Sequence, residues 1–258
     1  MTRRPRLRTV VTTGDPVLDV RHLSASYRSV EALDNVSFTM SAGQVVGIIG
    51  PNGAGKSTLM KAMLGLIPAS QGETLYGDRS LADQRDRVAY VPQRSQIDWT
   101  YPATAWDVVM MGRVKKTGWF QRFSADSRQL ATAALERVGA LELRDRPIGK
   151  LSGGQQQRIF LARALVQEAD AYFFDEPFVG IDKKTEAVIF DIFHELAAAG
   201  KTVLVVHHDL GETMTHFDSL VLLNRELIAS GARELVLTAP NLDRAYDGKV
   251  AFYNRGAA

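Results

Sequence analysis

Cysteine is missing from all 258 residues, which removes disulfides, thiolate metal sites and cysteine nucleophiles and fits a reducing compartment. No apolar run comes near the roughly 18 residues of a membrane-spanning helix. The start of the chain carries charge without an apolar h-region, so neither an anchor nor a secretory signal is expected. Acids are also scarce there, since Arg3, Arg4, Arg6 and Arg8 all precede the first one, Asp15. Against totals of 31 basic and 29 acidic residues, that cluster accounts for the whole positive balance. The rest of the chain is slightly acidic and lacks the basic face of a nucleic-acid binder. Residues 1–15 read as a basic, flexible tail.

What is present describes a globular protein: 45% hydrophobic and 23% charged residues suffice for a large core, read as a single domain over residues 16–258. Leu18, Val20 and Leu23, then Val36, Phe38 and Met40, alternate as an antiparallel layer should. Short apolar runs at residues 45–49, 88–91, 171–174 and 203–206 have the unbroken character of buried parallel strands. Helical periodicity covers residues 57–66, 124–138, 155–167 and 184–199. Such alternation predicts an α/β sheet with helices on both faces. Residues 94–166 lack a good strand and read as a helical subdomain inserted in the sheet domain. Residues 219–223 and 226–229, joined at Asn224-Arg225, predict a hairpin.

The first apolar run ends in Gly50-Pro51-Asn52-Gly53-Ala54-Gly55-Lys56-Ser57-Thr58. This strand, glycine-rich loop and helix order is that of a P-loop. Glycines at 50, 53 and 55 let the backbone turn its N–H groups inward around a pyrophosphate, the helix directs its positive end at the same place, and Lys56 adds a point charge. The Ser57 hydroxyl is placed to ligate Mg²⁺. The chain is therefore expected to bind a nucleoside triphosphate.

Two distant segments extend this chemistry. Phe173-Phe174-Asp175-Glu176-Pro177 ends a hydrophobic strand with two carboxylates, where the second metal ligand of a P-loop enzyme belongs: Asp175 to hold the ion through water, Glu176 to accept a proton from an attacking water. Leu151-Ser152-Gly153-Gly154-Gln155 opens a helix with a capping serine and two glycines, each glycine costing about 1 kcal/mol of helix propensity. That is a second anion site in one chain.

With these residues in order the chain resembles the ATP-binding cassette family over residues 18–230. The correspondences are an aromatic (Tyr27), the Walker A loop (Gly50 to Thr58), a Q-loop glutamine (Gln93), the signature (Leu151 to Gln155), Walker B with its glutamate (Asp175, Glu176), a D-loop (Val179 to Asp182) and a switch histidine (His208). The resemblance implies a P-loop core of ABC type with an antiparallel β layer and an inserted helical subdomain. It implies ATP with Mg²⁺ held by Ser57, Gln93 and Asp175, and Glu176, His208, Gln93 and Lys56 acting on the phosphate. Tyr27 would stack on adenine. Two copies would close head to tail, so that Ser152, Gly153, Gly154, Gln155 and Asp182 complete the partner's site in trans. His207 reads as structural. The D-loop departs from the commoner Ser-Ala-Leu-Asp, reading Val-Gly-Ile-Asp.

One cassette, no heptad insertion and no fused span match the separate ATPase subunit of an importer, held on the cytoplasmic face of the membrane by a permease; a free-standing soluble ATPase is the alternative. Residues 90–102, Gly118-Trp119-Phe120, residues 153–161 and Val205 to Leu210 resemble the manganese, zinc and iron uptake branch, and Asp98-Trp99 with Tyr101-Pro102 its manganese members. That implies a divalent transition metal as cargo, manganese first and zinc or an iron chelate as alternatives, delivered by a metal-binding protein. Trp99, Tyr101 and Trp106 are candidate permease contacts, as aromatics favour interface centres.

Overall fold

The computed structural model describes residues 16–27, 30–118 and 121–248; the expectations for the tail at 1–15, for Trp119-Phe120 and for the final residues lie outside them. In chain order come β1 (Pro16–Tyr27), β2 (Val30–Ser41), β3 (Val45–Ile49), α1 (Lys56–Met63), β4 (Gln71–Tyr76), β5 (Arg79–Ser80) and β6 (Val88–Val91). Then follow α2 (Ala105–Met111), α3 (Val114–Thr117), α4 (Ala125–Arg137), α5 (Gly153–Leu165), β7 (Ala171–Asp175) and α6 (Lys183–Ala198). The last elements are β8 (Thr202–Val206), β9 (Ser219–Asn224), β10 (Glu226–Ala232), α7 (Arg233–Val236) and α8 (Ala239–Tyr246). The chain divides into two compact units, residues 1–84 with 206–258 and residues 85–205.

The first unit contains an antiparallel sheet in the order β2-β1-β4-β5, with Leu18 facing Met40, Val20 facing Phe38 and Leu23 facing Val36. All six side chains are buried, as their alternation requires. The long β1 is irregular after Val20, where His22 takes a left-handed φ of 49°. In the same unit β3 runs parallel to β9, and β9 turns back antiparallel into β10. Arg225, φ 61°, makes that turn. Every residue of β3 is buried, which explains why its sequence does not alternate.

The second unit places β7 between β6 and β8; β6 and β7 pair in parallel. Both β7 and β8 are buried throughout. Phe174 and Phe193 lie 4.5 Å apart between ring centroids, and Phe178 and Phe190 4.6 Å, so the apolar face of α6 packs on aromatics carried by β7 and the turn beyond it. The described residues of 94–166 form helices and turns, and the one β-type contact among them is an isolated bridge between Thr104 and Pro147. Four starts are set by side chains: the Thr104 and Asp107 capping box for α2, Ser124 for α4, the Ser152 and Gln155 capping box for α5 and Asp182 for α6.

Asp170 ties the strand starts of this unit together. Its backbone N–H donates to Arg87 O, its carbonyl accepts from Thr202 N–H, and its carboxylate receives Arg87 at 2.7 Å and Lys201 at 3.2 Å. The hydrogen bond from Arg87 holds its carboxyl below the usual aspartate value. A depressed folded-state pKa contributes stability that is fully present above the unfolded value of about 3.9 and lost as pH falls through the folded one. Asp170→Asn is accordingly expected to lower the thermal midpoint by a few degrees at pH 7. The deficit should shrink to nothing as melts are repeated at pH values falling below 4; a pH-independent deficit would mean that the charge is not its source.

Candidate functional site

In the first unit the loop between β3 and α1 is shaped by backbone demands. Gly50 has φ 151°, and a Cβ there would collide with the carbonyl oxygen of Leu223; Gly55 has φ 91° and would meet that of Ala32. Gly53 differs, because at φ 82° it has open space around it. The loop is anchored by Ala54, whose N–H donates to Pro51 O at 3.1 Å and whose carbonyl accepts from Arg225 N–H at 2.9 Å. Asn52 and Gly53 stay exposed at the tip, while Pro51, Ser57 and Thr58 are half-buried.

Lys56 is 6% exposed, and its ammonium donates to the carbonyls of Gly50 at 2.8 Å and Pro51 at 2.9 Å. Two dipoles thus hold a buried cation inside the loop it serves. Beyond β8, the His207 N–H donates to Ile48 O at 2.9 Å, which sets this turn beside the strand that feeds the loop. His207 is buried, 6.3 Å from the Phe217 ring, whereas His208 is exposed. Burial, and then the charge of Asp209, next to His208 in sequence, push the Tyr246 phenol up to about 12.

The second unit carries the carboxylates. Asp175 closes β7 and is 1% exposed. Burial, and then the Asp175 charge, push the Tyr90 phenol of neighbouring β6 well above its ordinary value. Glu176 takes a left-handed φ of 52°, a conformation that costs a non-glycine residue on the order of 1 kcal/mol. This kink turns the chain out of the strand, and the Glu176 carboxylate meets Gln93, whose Nε2 donates to Oε2 at 2.7 Å. Two residues 83 apart in sequence are brought into direct contact.

The signature segment begins α5 with a full capping box. Ser152 Oγ accepts from Gln155 N–H at 3.3 Å, and Gln155 Oε1 accepts from Ser152 N–H at 2.9 Å. Its glycines have no packing reason, since a Cβ on Gly153 or Gly154 would meet Arg94 or Ile181 at an ordinary 3.5 Å. Helix starts normally attract acids, and α2, α4 and α6 carry Asp107, Asp126 and Glu186 in their first turns. Like α3 and α8, neither α1 nor α5 has one. Both therefore offer uncompensated N–H groups and a positive dipole end, which suits phosphate.

The remaining candidates are dispersed. The Asp182 carboxylate caps α6, accepting from Thr185 N–H at 2.9 Å and Thr185 Oγ1 at 3.1 Å. Tyr27 ends β1 with its backbone opposite Val30; its side chain lies outside the described ones. Trp99 lines a cavity of about 300 Å³ with Gln93, Arg94, Ser95, Ile97 and Val179. Tyr101 and Trp106 are not among its walls: Tyr101 is exposed and Trp106 stacks under Arg144, 4.4 Å from guanidinium carbon to ring centroid. Arg94 escaped the sequence reading, although its place directly after Gln93 was a signal.

A family model described as ABC transporter matches residues 33–179. The chain belongs to the ABC transporter family. This cassette is 46% identical over 241 residues to the manganese transport system ATP-binding protein of Halalkalibacterium halodurans, covering 93% of this chain and 96% of that one. It is 47% identical over 234 residues to the zinc transport system ATP-binding protein of Treponema pallidum, covering 91% and 88%. Among solved structures, a dimeric bacterial ABC transporter cassette superimposes with a TM-score of 0.73 at 26% identity, over 84% of this chain and 98% of that one. The cassette is thus the family's ATP-hydrolysing subunit, an α/β P-loop core with a mixed sheet and a helical subdomain, using ATP and Mg²⁺. Its residues fit those ligands: a cradle of glycines that two Cβ atoms would fill, acid-free helix starts, and a buried carboxylate at a strand end.

The two kinds of glycine should separate by experiment. Gly50→Ala is expected to destabilise the fold by more than 1 kcal/mol, through the strained φ and the carbonyl clash. Gly154→Ala should leave stability unchanged or raise it by up to about 1 kcal/mol. Chemical denaturation of both variants checks this, and equal losses would show that Gly154 is held by packing.

Proposed function

We propose that this cassette energises uptake of a divalent transition metal, manganese first, through a separate membrane permease, and that it works as a head-to-tail dimer. The metal reading is supported by the likeness to the manganese transport ATPase over nearly the whole of both chains. Zinc is the second reading, supported by the relative from Treponema pallidum. No described helix is long and apolar enough to cross a membrane, so attachment to one is assigned to the permease, on the cytoplasmic face. The metal is cargo, and its selection is assigned to the permease and a metal-binding protein.

The observation that carries the hydrolytic reading is the 2.7 Å bond between Gln93 and Glu176 at the end of β7. Glu176 holds the attacking water and takes its proton as that oxygen bonds to the γ-phosphorus and the bridging oxygen leaves with ADP. Gln93 fixes the carboxylate in the rotamer that faces the water. His208, exposed beyond β8, orients the γ-phosphate. Lys56 and the N–H groups from Gly53 to Thr58 hold the β- and γ-phosphates, and Tyr27 lies against adenine. Ser57, Gln93 and Asp175 would hold Mg²⁺, which would supply charge neutralisation. Ser152, Gly153, Gly154 and Gln155 of the second copy close over the same phosphates, with Asp182 at the edge. This explains two phosphate-binding helix starts in one chain, and the dimeric relative is the assembly it resembles.

Trp99 is the stronger permease contact, since it lines the cavity that opens beside Gln93. Exposed Tyr101 and half-buried Trp106 are assigned to the rim.

Glu176→Gln is expected to bind ATP normally and to lose about a hundredfold to ten-thousandfold in turnover. Nucleotide affinity and steady-state hydrolysis check it together, and near-normal turnover would remove Glu176 from the role. For the cargo, cells carrying Lys56→Ala in place of the native chain should fail to accumulate radiolabelled manganese. A selective fall in zinc would choose the second reading, and a fall in neither would end the metal assignment.

A further inference from the structure

The residue after Gln93 makes contacts of another kind. Arg94 donates from Nε to Gln156 Oε1 at 2.9 Å, and its guanidinium stands 5.5 Å from the Trp99 ring centroid. Its own carbonyl accepts from Trp99 Nε1 at 3.0 Å. The indole is fixed edge-on against Phe160 of α5, 5.3 Å between centroids. Gln156 is 2% exposed and donates onward to Ile148 O at 3.1 Å. The head of Arg94 is therefore fastened to the first turn of α5 through Gln156, and its backbone to the same helix two turns further on through Trp99 and Phe160, one peptide away from the glutamine that holds Glu176.

Helix stability does not explain this placement. The guanidinium lies 3.5 Å from the position a Cβ on Gly153 would take, at the positive end of α5. A cation there is unfavourable, and the first turn carries no acid to offset it. The placement is paid for by one hydrogen bond to a buried amide and one cation–π contact. These contacts tie the Gln93 loop to the first turn of α5 through Gln156 and to its middle through Trp99 and Phe160.

We infer that Arg94 is a positioning residue that couples the setting of Gln93 against Glu176 to the orientation of the signature turn. It touches neither substrate nor the reacting atoms. The inference rests on the roles proposed above for Gln93, Glu176 and the signature turn. Because the lever joins the general base to the surface that closes over the partner's phosphates, its loss slows the closed, reactive arrangement and spares occupation of the P-loop.

A double-mutant cycle on the full-length chain tests this, with MgATP hydrolysis resolved into kcat and KM. Arg94→Ala is expected to lower kcat about tenfold with KM within about twofold, and Gln156→Ala to lower it less. The double variant should be no slower than Arg94→Ala, since both remove one link. Arg94→Lys keeps the charge without the Nε donor and should recover less than half of the loss; it takes the place of Arg94→Ala in the cycle if that variant does not fold. Effects that multiply, or an Arg94 variant with native kcat, would overturn the inference. Glu176→Gln run alongside keeps the two readings apart, because activity retained there would refute the proposed hydrolytic centre whatever Arg94 does.

Discussion

Phosphate can be gripped by backbone N–H groups only where side chains stand aside and no carboxylate competes, and that constraint accounts for the oddest choices in this chain. At the start of α1 it is met together with the fold's own needs, since Gly50 and Gly55 are also required by neighbouring carbonyls. At the start of α5 it is met against them. Gly153 and Gly154 weaken the helix and have ordinary room for a Cβ, and the capping box of Ser152 and Gln155 offsets only part of that. A helix start kept bare at a cost in stability, with nothing inside its own chain to demand it, is intelligible as a surface that another molecule must approach closely.

The proposed role of Glu176 carries a second constraint, that a general base must be aimed. β7 is buried throughout and delivers Asp175 at its last position, sealed from solvent. Glu176 then leaves the strand through a left-handed φ and comes to rest on Gln93. The residue after Gln93, Arg94, is in turn hydrogen-bonded to Gln156 in the first turn of α5. On the proposed roles of Glu176 and the signature turn, aim and closure are linked through Gln93 and Arg94, which would make chemistry wait for assembly.

Much of this was legible in the sequence because its physical cause was local. Unbroken apolar runs marked β3, β6, β7 and β8, and alternation marked β1 and β2. The helix expected from Gln155 starts instead at Gly153, where the capping box overrides the poor propensity of glycine. β4 was missed because its first half, Gln71-Gly72-Glu73, is exposed and polar, and α2 because it is only two turns long. At the site, residue types and order were readable while contacts across long separations were not. The Gln93 to Glu176 bond spans 83 residues and the Arg94 to Gln156 bond 62. Nor could order alone reveal that Lys56 is held by the carbonyls of its own loop, or that Trp99 and not Tyr101 lines the cavity beside Gln93.

In the proposed assembly each phosphate site is shared between two copies of this chain. Mixing two inactive variants tests it most directly, one with Lys56→Ala in the P-loop and one with Ser152→Arg in the signature. A mixed dimer of these carries one doubly damaged site and one with a native P-loop facing a native signature turn. Hydrolysis absent from either variant alone and restored on mixing is the expected result; a mixture no more active than its components would contradict the shared site.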